Sequence, residues 1–336
     1  MLKKITFLLL ALLLWLPGLQ NPANARTLTK VTFIPLWVPQ AQFAGYYVAL
    51  ETDIYKEYGL DVEIISGGPQ RSSADYLKNR KADFASLWLV SGIDLCNQGI
   101  EVVNLAQIVQ RSALMLVAKK SSGILKPQDM NDHKVGLWGP PFATQPKIFF
   151  QQQKIKVVPL QQSYSINLFL RDGVAVASAM WYNEYHSILN AGIDPDELTT
   201  FFYADYNLNF PEDGIYVLKK TWQQHPDLCR AFVNASIKGW RKAFAEPELA
   251  LDITMRNLKN EHIISNRIHQ KWMLERMQDI ILPHNQDQNQ NKSQQPQSIG
   301  ILKQKDFQRV VESLKQVNLI KDAPSFKNFH QPLAGD

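Results

Sequence analysis

Two periodicities alternate along the chain. Short apolar runs over residues 31–36, 61–65, 83–88, 102–109 and 113–119 predict strands, and helical spacing fills the stretches between them. The clearest helix follows the first run, where Phe43, Tyr46, Tyr47, Leu50 and Ile54 fall on one face. The pattern predicts a helix over residues 42–58. Pro39 breaks the strand before it, and Gly59 ends it because glycine takes a positive φ without strain. Ser72 or Ser73 is placed to cap a helix reaching Arg80, and Gly99 stops a short helix that begins at Ser91.

A second cycle follows. Residues 134–138, 156–159, 174–180 and 199–203 read as strands, with helices over 144–153, 165–171 and from Trp181 to Gly192. Residues 213–218 read as a strand that returns to the first group. Nearly everything after it is helical: 226–244, 246–258, 262–281 and about 303–318. Strands alternating with helices predict an α/β fold with mainly parallel sheets. Two such cycles predict two lobes joined by two hinge strands. One lobe is expected to be discontinuous, residues 26–119 and 214–336, and the other to be residues 120–213, with crossings near Lys119-Lys120 and Asp213-Gly214. The Gln/Asn-rich residues 285–298 have nothing apolar to bury and are expected to form a disordered surface insert.

Composition narrows the class. The 336 residues are 45% hydrophobic and 20% charged, which is ordinary globular usage. Lys3 and Lys4 precede an apolar run over residues 5–16 and a small-x-small site at Ala23-Asn24-Ala25, the anatomy of a secretory signal peptide. Cleavage there takes the net charge from +5 to 5 − 2 = +3, too mild to imply nucleic acid. The run is shorter than a membrane span, and no cysteine stands near residue 25 to carry a lipid. An exported, periplasmic, monomeric protein is expected. Cys96 and Cys229 could pair, though Cys96 sits in an apolar helical pattern where a buried thiol is the commoner state. The seven histidines are scattered without zinc spacing, so neither metal nor cofactor is expected.

Ligands in open α/β sheets bind beyond the carboxyl ends of the strands. Trp37, Trp88, Trp138, Trp181 and Tyr182 all stand at strand ends or in the turns after them. Taken alone, the Trp37–Gln42 corner suits a core tryptophan and a first-turn glutamine just as simply. Trp88 suits a core position as well as a cleft, and Glu184 could merely complement a helix dipole.

The residues Trp37-Val38-Pro39-Gln40-Ala41-Gln42-Phe43-Ala44-Gly45-Tyr46-Tyr47-Val48-Ala49, Gly59-Leu60-Asp61-Val62, Lys81-Ala82-Asp83-Phe84-Ala85 and Ala106-Gln107-Ile108-Val109-Gln110-Arg111-Ser112 occur in that order. Lys134-Val135-Gly136-Leu137-Trp138, Met180-Trp181-Tyr182-Asn183-Glu184-Tyr185, Asp213-Gly214-Ile215-Tyr216-Val217 and Ala235-Ser236-Ile237-Lys238-Gly239-Trp240 follow them. Together they resemble the type II periplasmic solute-binding proteins of ABC importers, in the branch related to thiamine-pyrimidine synthase and shared with nitrate, sulfonate and taurine binders. The resemblance implies a periplasmic-binding-protein type II fold that closes on a small ligand and docks on an inner-membrane ABC permease. In the pyrimidine-binding members a flat heterocycle stacks on aromatic side chains and a carboxylate accepts from its amino group. Carried onto this chain, the expected ligand-binding residues are Trp37, Gln42, Trp88, Trp138, Trp181, Tyr182, Asn183 and Glu184. With the second lobe's segment facing it, Trp37 reads as half of a clamp ahead of a core residue. Trp240 and Trp272 are expected in the core. Arg111 is expected to meet an anion or to form a surface pair.

The resemblance also covers an enzyme that builds the thiamine pyrimidine from pyridoxal phosphate and a histidine of its own chain. Its pattern needs a lysine for the Schiff base and a histidine four residues later, after the strand that matches Asp83-Phe84-Ala85. Leu87 and Ser91 stand at those positions, and residues 205–212 hold no cysteine where that enzyme carries an iron-binding run. No Ser/His/Asp or paired-carboxylate set competes. The expectation is therefore a binder of a thiamine-precursor pyrimidine or similar ring, with the synthase or an anion binder as the alternatives.

Overall fold

The computed structural model describes residues 27–282 and 299–333. The signal-peptide reading and the Gln/Asn-rich insert both lie outside the described residues.

Among the described residues, ten strands form two five-stranded sheets. The strands are β1 (Thr29–Ile34), β2 (Leu60–Ile64), β3 (Phe84–Trp88), β4 (Val102–Gln107), β5 (Leu114–Lys119), β6 (Lys134–Leu137), β7 (Val158–Gln161), β8 (Val176–Met180), β9 (Leu198–Phe202) and β10 (Asp213–Leu218). The first sheet has the order β2-β1-β3-β10-β4 and the second β7-β6-β8-β5-β9. β1 runs parallel to β2 and β3, whereas β10 runs antiparallel to both β3 and β4. The second sheet repeats the scheme, with β6 parallel to β7 and β8 and with β5 antiparallel to β8 and β9. In each sheet the reversed strand is the one that has just crossed from the other.

That arrangement corrects one expected boundary. The stretch ending at Lys119 is expected in the first lobe, yet β5 pairs only within the second sheet. The chain leaves the first sheet after Gln107, through residues 108–113, and comes back through residues 208–212 into β10. The apolar runs predict both strands, but a run carries no label for the sheet it joins. The two crossing segments bond to each other: Val109 N donates to Asp213 O (2.9 Å) and Glu212 N to Val109 O (3.2 Å).

Period two accounts for the layering. Along β5, Leu114, Leu116 and Ala118 join one core cluster, while Met115 and Val117 join another on the opposite face. A strand buried on both faces reads as a continuous apolar run, as this one does. The expected 42–58 helix is in fact two, Ala44–Glu51 and Ile54–Glu57, because Asp53 takes φ 58° between them. Aspartate tolerates this left-handed conformation better than most residues, and no periodicity signals it. Ser72 caps the Ser73–Lys78 helix by accepting from Asp75 N. Beyond the last expected helix the chain carries one more short helix, Phe326–Phe329. Trp240 is buried as expected. Cys96 and Cys229 are both free thiols.

Candidate functional site

The carboxyl ends of β1 and β3 in one sheet face those of β6, β7 and β8 in the other across a cleft. A narrow cavity lies there, enclosing about 390 Å³ of empty space only when the open solvent at its mouth is included, and lined by Leu36, Trp37, Gln40, Gln42, Trp88, Trp138, Phe142, Tyr164, Met180, Tyr182, Asn183 and Glu184. Parallel strands bring the residues just past their ends to one edge of a sheet, so positions distant in sequence converge. Trp37, Gln42, Trp88, Trp138, Tyr182, Asn183 and Glu184 all line this one cavity.

Aromatic rings form the walls. Phe142 stands edge-on to three tryptophans, with centroids 4.8 Å from Trp88, 5.9 Å from Trp138 and 6.0 Å from Trp37. Tyr164 closes the rim against Trp37 at 4.6 Å. Trp138 is held by its indole N–H, which donates to Ser163 O (3.1 Å). Trp88 is 1% exposed, so the core and cleft readings of it both hold: the ring is buried, and it is also wall. Phe142, Tyr164, Gln40 and Met180 were not singled out from sequence. Tyr164 and Phe142 obey the same rule that found Trp138, since they lie in loops just beyond strand ends. Gln40 lies within the Trp37–Ala49 stretch that anchors the resemblance.

One carboxylate faces the cavity. Glu184 opens the Glu184–Asn190 helix, and its Oε2 accepts from Met180 N (2.9 Å) while Oε1 accepts from Asn183 Nδ2 (3.0 Å). Burial raises its pKa to about 7, against the Met180 N–H, which favours the charged form. Two further carboxyls lie behind the cleft at the second crossing. Glu212 Oε1 accepts from Ser112 Oγ (3.0 Å), Ala113 N (2.6 Å) and Leu114 N (3.2 Å), which clips one crossing segment to the other. Burial, and then the charge of Asp213, push Glu212 up to about 8. Asp213 is raised by burial to about 7, with Gln42, Ser86 and Trp88 pulling it back. Gln42 Nε2 donates to Asp213 Oδ2 (2.7 Å), and Gln40 Nε2 donates to Gln42 Oε1 (2.5 Å).

Trp181 is the expected site residue that does not reach the cavity. Alternation along β8 explains it: Met180 and Tyr182 face the cleft, so the residue between them turns away. Its ring lies against Arg276, 5.0 Å away, and its carbonyl accepts from Trp272 Nε1 (3.1 Å). Trp272 is correspondingly not a core residue. It is partly exposed and stacks on His186 at 4.7 Å and 4°, tying the Arg267–Ile281 helix to the Glu184–Asn190 helix. Arg111 forms an exposed ion pair with Asp205 (3.6 Å) and does not line the cavity. Among the described residues, no group of three or more His, Cys, Asp or Glu is placed to hold a metal ion.

Two five-stranded sheets that exchange one strand each, with a cleft between their carboxyl edges, define the periplasmic-binding-protein type II fold. The chain belongs to the NMT1/THI5-like family, whose profile matches residues 40–250. It is 24% identical over 255 residues to the riboflavin-binding protein RibY of Chloroflexus aurantiacus, covering 70% of this chain and 68% of RibY. Its fold matches the periplasmic aliphatic sulphonate binding protein SsuA of Escherichia coli with a TM-score of 0.68 at 13% identity, over 91% of this chain and 94% of SsuA. The desulfurization enzyme DSZB matches at 0.53 and 12% identity, over 90% of this chain and 96% of that one. One architecture therefore serves proteins named as binders and one named as an enzyme, so function has to be argued from the cleft.

Proposed function

We propose that the protein is the solute-binding component of an ABC importer and captures a flat, uncharged nitrogen heterocycle of the aminopyrimidine or flavin kind. The observation that carries this is the chemistry of the lining. Among the described residues, six aromatic side chains surround the cavity, Glu184 is its one carboxyl side chain, and no Lys, Arg or His lines it. Aromatic faces offer a flat ring a large contact area at little entropic cost, and a buried carboxylate accepts strongly from ring N–H or amino groups. A sulfonate or nitrate would meet Glu184 with no cation to balance it. The name of the relative RibY favours a flavin-sized ring, and the number of aromatic walls exceeds what a single pyrimidine needs.

The synthase reading is disfavoured by the residues at its two expected catalytic positions. Leu87 is fully buried and cannot form a Schiff base, and neither Leu87 nor Ser91 lines the cleft. In the importer reading, export through the amino-terminal segment delivers a monomer to the periplasm. Ligand stabilises the closed arrangement of the two sheets by touching both, and that form docks on the permease. Calorimetry and tryptophan fluorescence test the proposal with riboflavin, 4-amino-5-hydroxymethyl-2-methylpyrimidine, taurine and nitrate. Binding of a heterocycle with quenched tryptophan emission is expected. Binding of the small anions alone would overturn the heterocycle assignment.

A further inference from the structure

The cleft's polar wall is wired to a group that lies outside it. Gln40 and Gln42 are 7% and 4% exposed and both line the cavity, whereas Asp213 is 3% exposed and does not. The three side chains form a single chain of hydrogen bonds from the hinge to the cleft: Gln42 Nε2 to Asp213 Oδ2, then Gln40 Nε2 to Gln42 Oε1.

A carboxylate can only accept, so an ionised Asp213 obliges Gln42 to turn its NH₂ inward. The oxygen of Gln42 then faces Gln40, which must present its own NH₂ to it. What this leaves without a partner among the described residues is the carbonyl oxygen of Gln40, beside the second N–H of each amide. A protonated Asp213 carries an O–H that can donate to Gln42 Oε1. Both amides then turn over in place, and Gln40 shows N–H instead. Each turnover is a rotation about the terminal amide torsion and displaces no heavy-atom volume.

We propose that Asp213 is a specificity-determining residue that acts through Gln42 and Gln40. Ionised, it makes the cleft wall an acceptor for a ligand N–H edge; protonated, it makes the same wall a donor to a ligand carbonyl edge. This rests on the reading of the cleft as the ligand site. With Asp213 ionised, Gln40 and Glu184 offer two acceptors, which matches an imide or amino edge of a heterocycle.

The groups around Asp213 bear on its proton. Ser86 Oγ, Trp88 Nε1 and Asp213 Oδ1 are buried without a hydrogen-bond partner among the described residues, and the two donors favour the charged form of Asp213. Glu212 adjoins Asp213 and the two charges repel. Tyr46, Tyr182 and Tyr216 feel the Asp213 charge as well, and burial holds all three hydroxyls neutral. Glu184 titrates in the same range, so a test has to separate it from Asp213.

The side-chain amide ¹⁵N resonances of the unliganded protein, followed from pH 5.5 to 8.5, provide that test. Those of Gln40 and Gln42 are expected to move together with one midpoint, to stay still in Asp213→Asn, and to move still in Glu184→Gln. Resonances that are invariant in the wild type, or that still titrate in Asp213→Asn, would overturn the relay. A second arm measures riboflavin against its N3-methyl derivative. The preference for the N–H form is expected to grow about tenfold between the two pH limits, the scale of one hydrogen bond to a polar wall. Measured in Glu184→Gln, which removes the other titrating acceptor, that growth should persist, and it should be lost when Asp213→Asn is added. If riboflavin fails to bind at any pH, the flavin reading of the cleft falls while the amide resonances still decide the relay.

Discussion

Nδ1 of His186 lies 2.9 Å from Nδ1 of His269, joining a helix of the second lobe to one packed on the first. The neighbours of His269 set its tautomer. Asn183 Nδ2 donates to Glu184, so Asn183 Oδ1 must accept from His269 Nε2, 2.9 Å away. Neutral His269 then has only Nδ1 left as an acceptor, and it faces His186 Nδ1, which Asn190 Nδ2 also approaches as a donor at 3.3 Å. Asn183 thereby links the cleft's carboxylate to the clasp between lobes.

Acid should open this clasp. Burial, and then the neighbouring His186, lower His269 to about 4, and burial lowers His186 as well. A depressed histidine pKa means that the open or unfolded chain binds protons more readily than the closed one. The contribution is therefore present above the free value of 6.5 and is lost as pH falls through about 4. Small-angle scattering should show the radius of gyration rising across that window, with the rise blunted in His269→Gln. An unchanged radius at the acid end would exclude the clasp as a closure element.

The opposite sign holds at the hinge. Glu212 is raised to about 8, so its contribution to stability is present in mild acid and is lost as pH rises through that value. Replacing Glu212 by Gln keeps an oxygen for Ser112, Ala113 and Leu114 and removes the titration. Melting temperature should fall from pH 6 to 9 in the wild type and fall less in Glu212→Gln. Parallel curves for the two proteins would show that Glu212 does not titrate there.

Glu184 serves two ends that substitution can separate. Glu184→Ala removes the acceptor for the buried Met180 N–H and the candidate ligand carboxylate together. It should weaken an aminopyrimidine by about 1.5–3 kcal/mol and also lower stability by about 1 kcal/mol. Glu184→Gln keeps an oxygen for Met180 and should lose affinity without losing stability. Calorimetry and urea titration read the two effects, and full affinity in both variants would remove Glu184 from the site.

The helices Ala44–Glu51 and Pro226–Ala245 cross closely enough that small residues are obligatory on both. A Cβ on Gly45 would sit 2.2 Å from the Trp240 ring, and one on Gly239 would sit 2.2 Å from Gly45 O. Gly45→Ala should cost about 1–3 kcal/mol, the usual penalty for overpacking a filled core. The urea midpoint should shift down with an unchanged m-value. A midpoint within error of the wild type would mean that the two helices can move apart freely.

Much of the cleft was legible because its residues obey a rule that is local in sequence. Trp37, Trp88 and Trp138 each end or directly follow a strand, and in a parallel sheet those positions share one edge wherever the strands lie. Trp181 shows where the rule stops. It follows β8 directly, but which of two successive residues faces the cleft depends on the pleat, and the one-residue difference sends it to Arg276. Trp272 misled for the converse reason: an amphipathic helix fixes the face that is buried, not whether the covering surface is core or the opposite lobe.

The sequence by itself determined the strands, the helices, the two-cycle α/β plan and most of the side chains that line the cleft, because periodicity and strand-end position are properties of neighbours along the chain. The tertiary structure alone decided that β5 belongs to the second sheet, that Asp53 breaks a helix, and that Asp213 is bonded through Gln42 to Gln40. Sheet membership and hydrogen-bond direction depend on residues that meet only after the chain has crossed between lobes. Gln42 and Asp213 stand 171 positions apart, and no local pattern couples them.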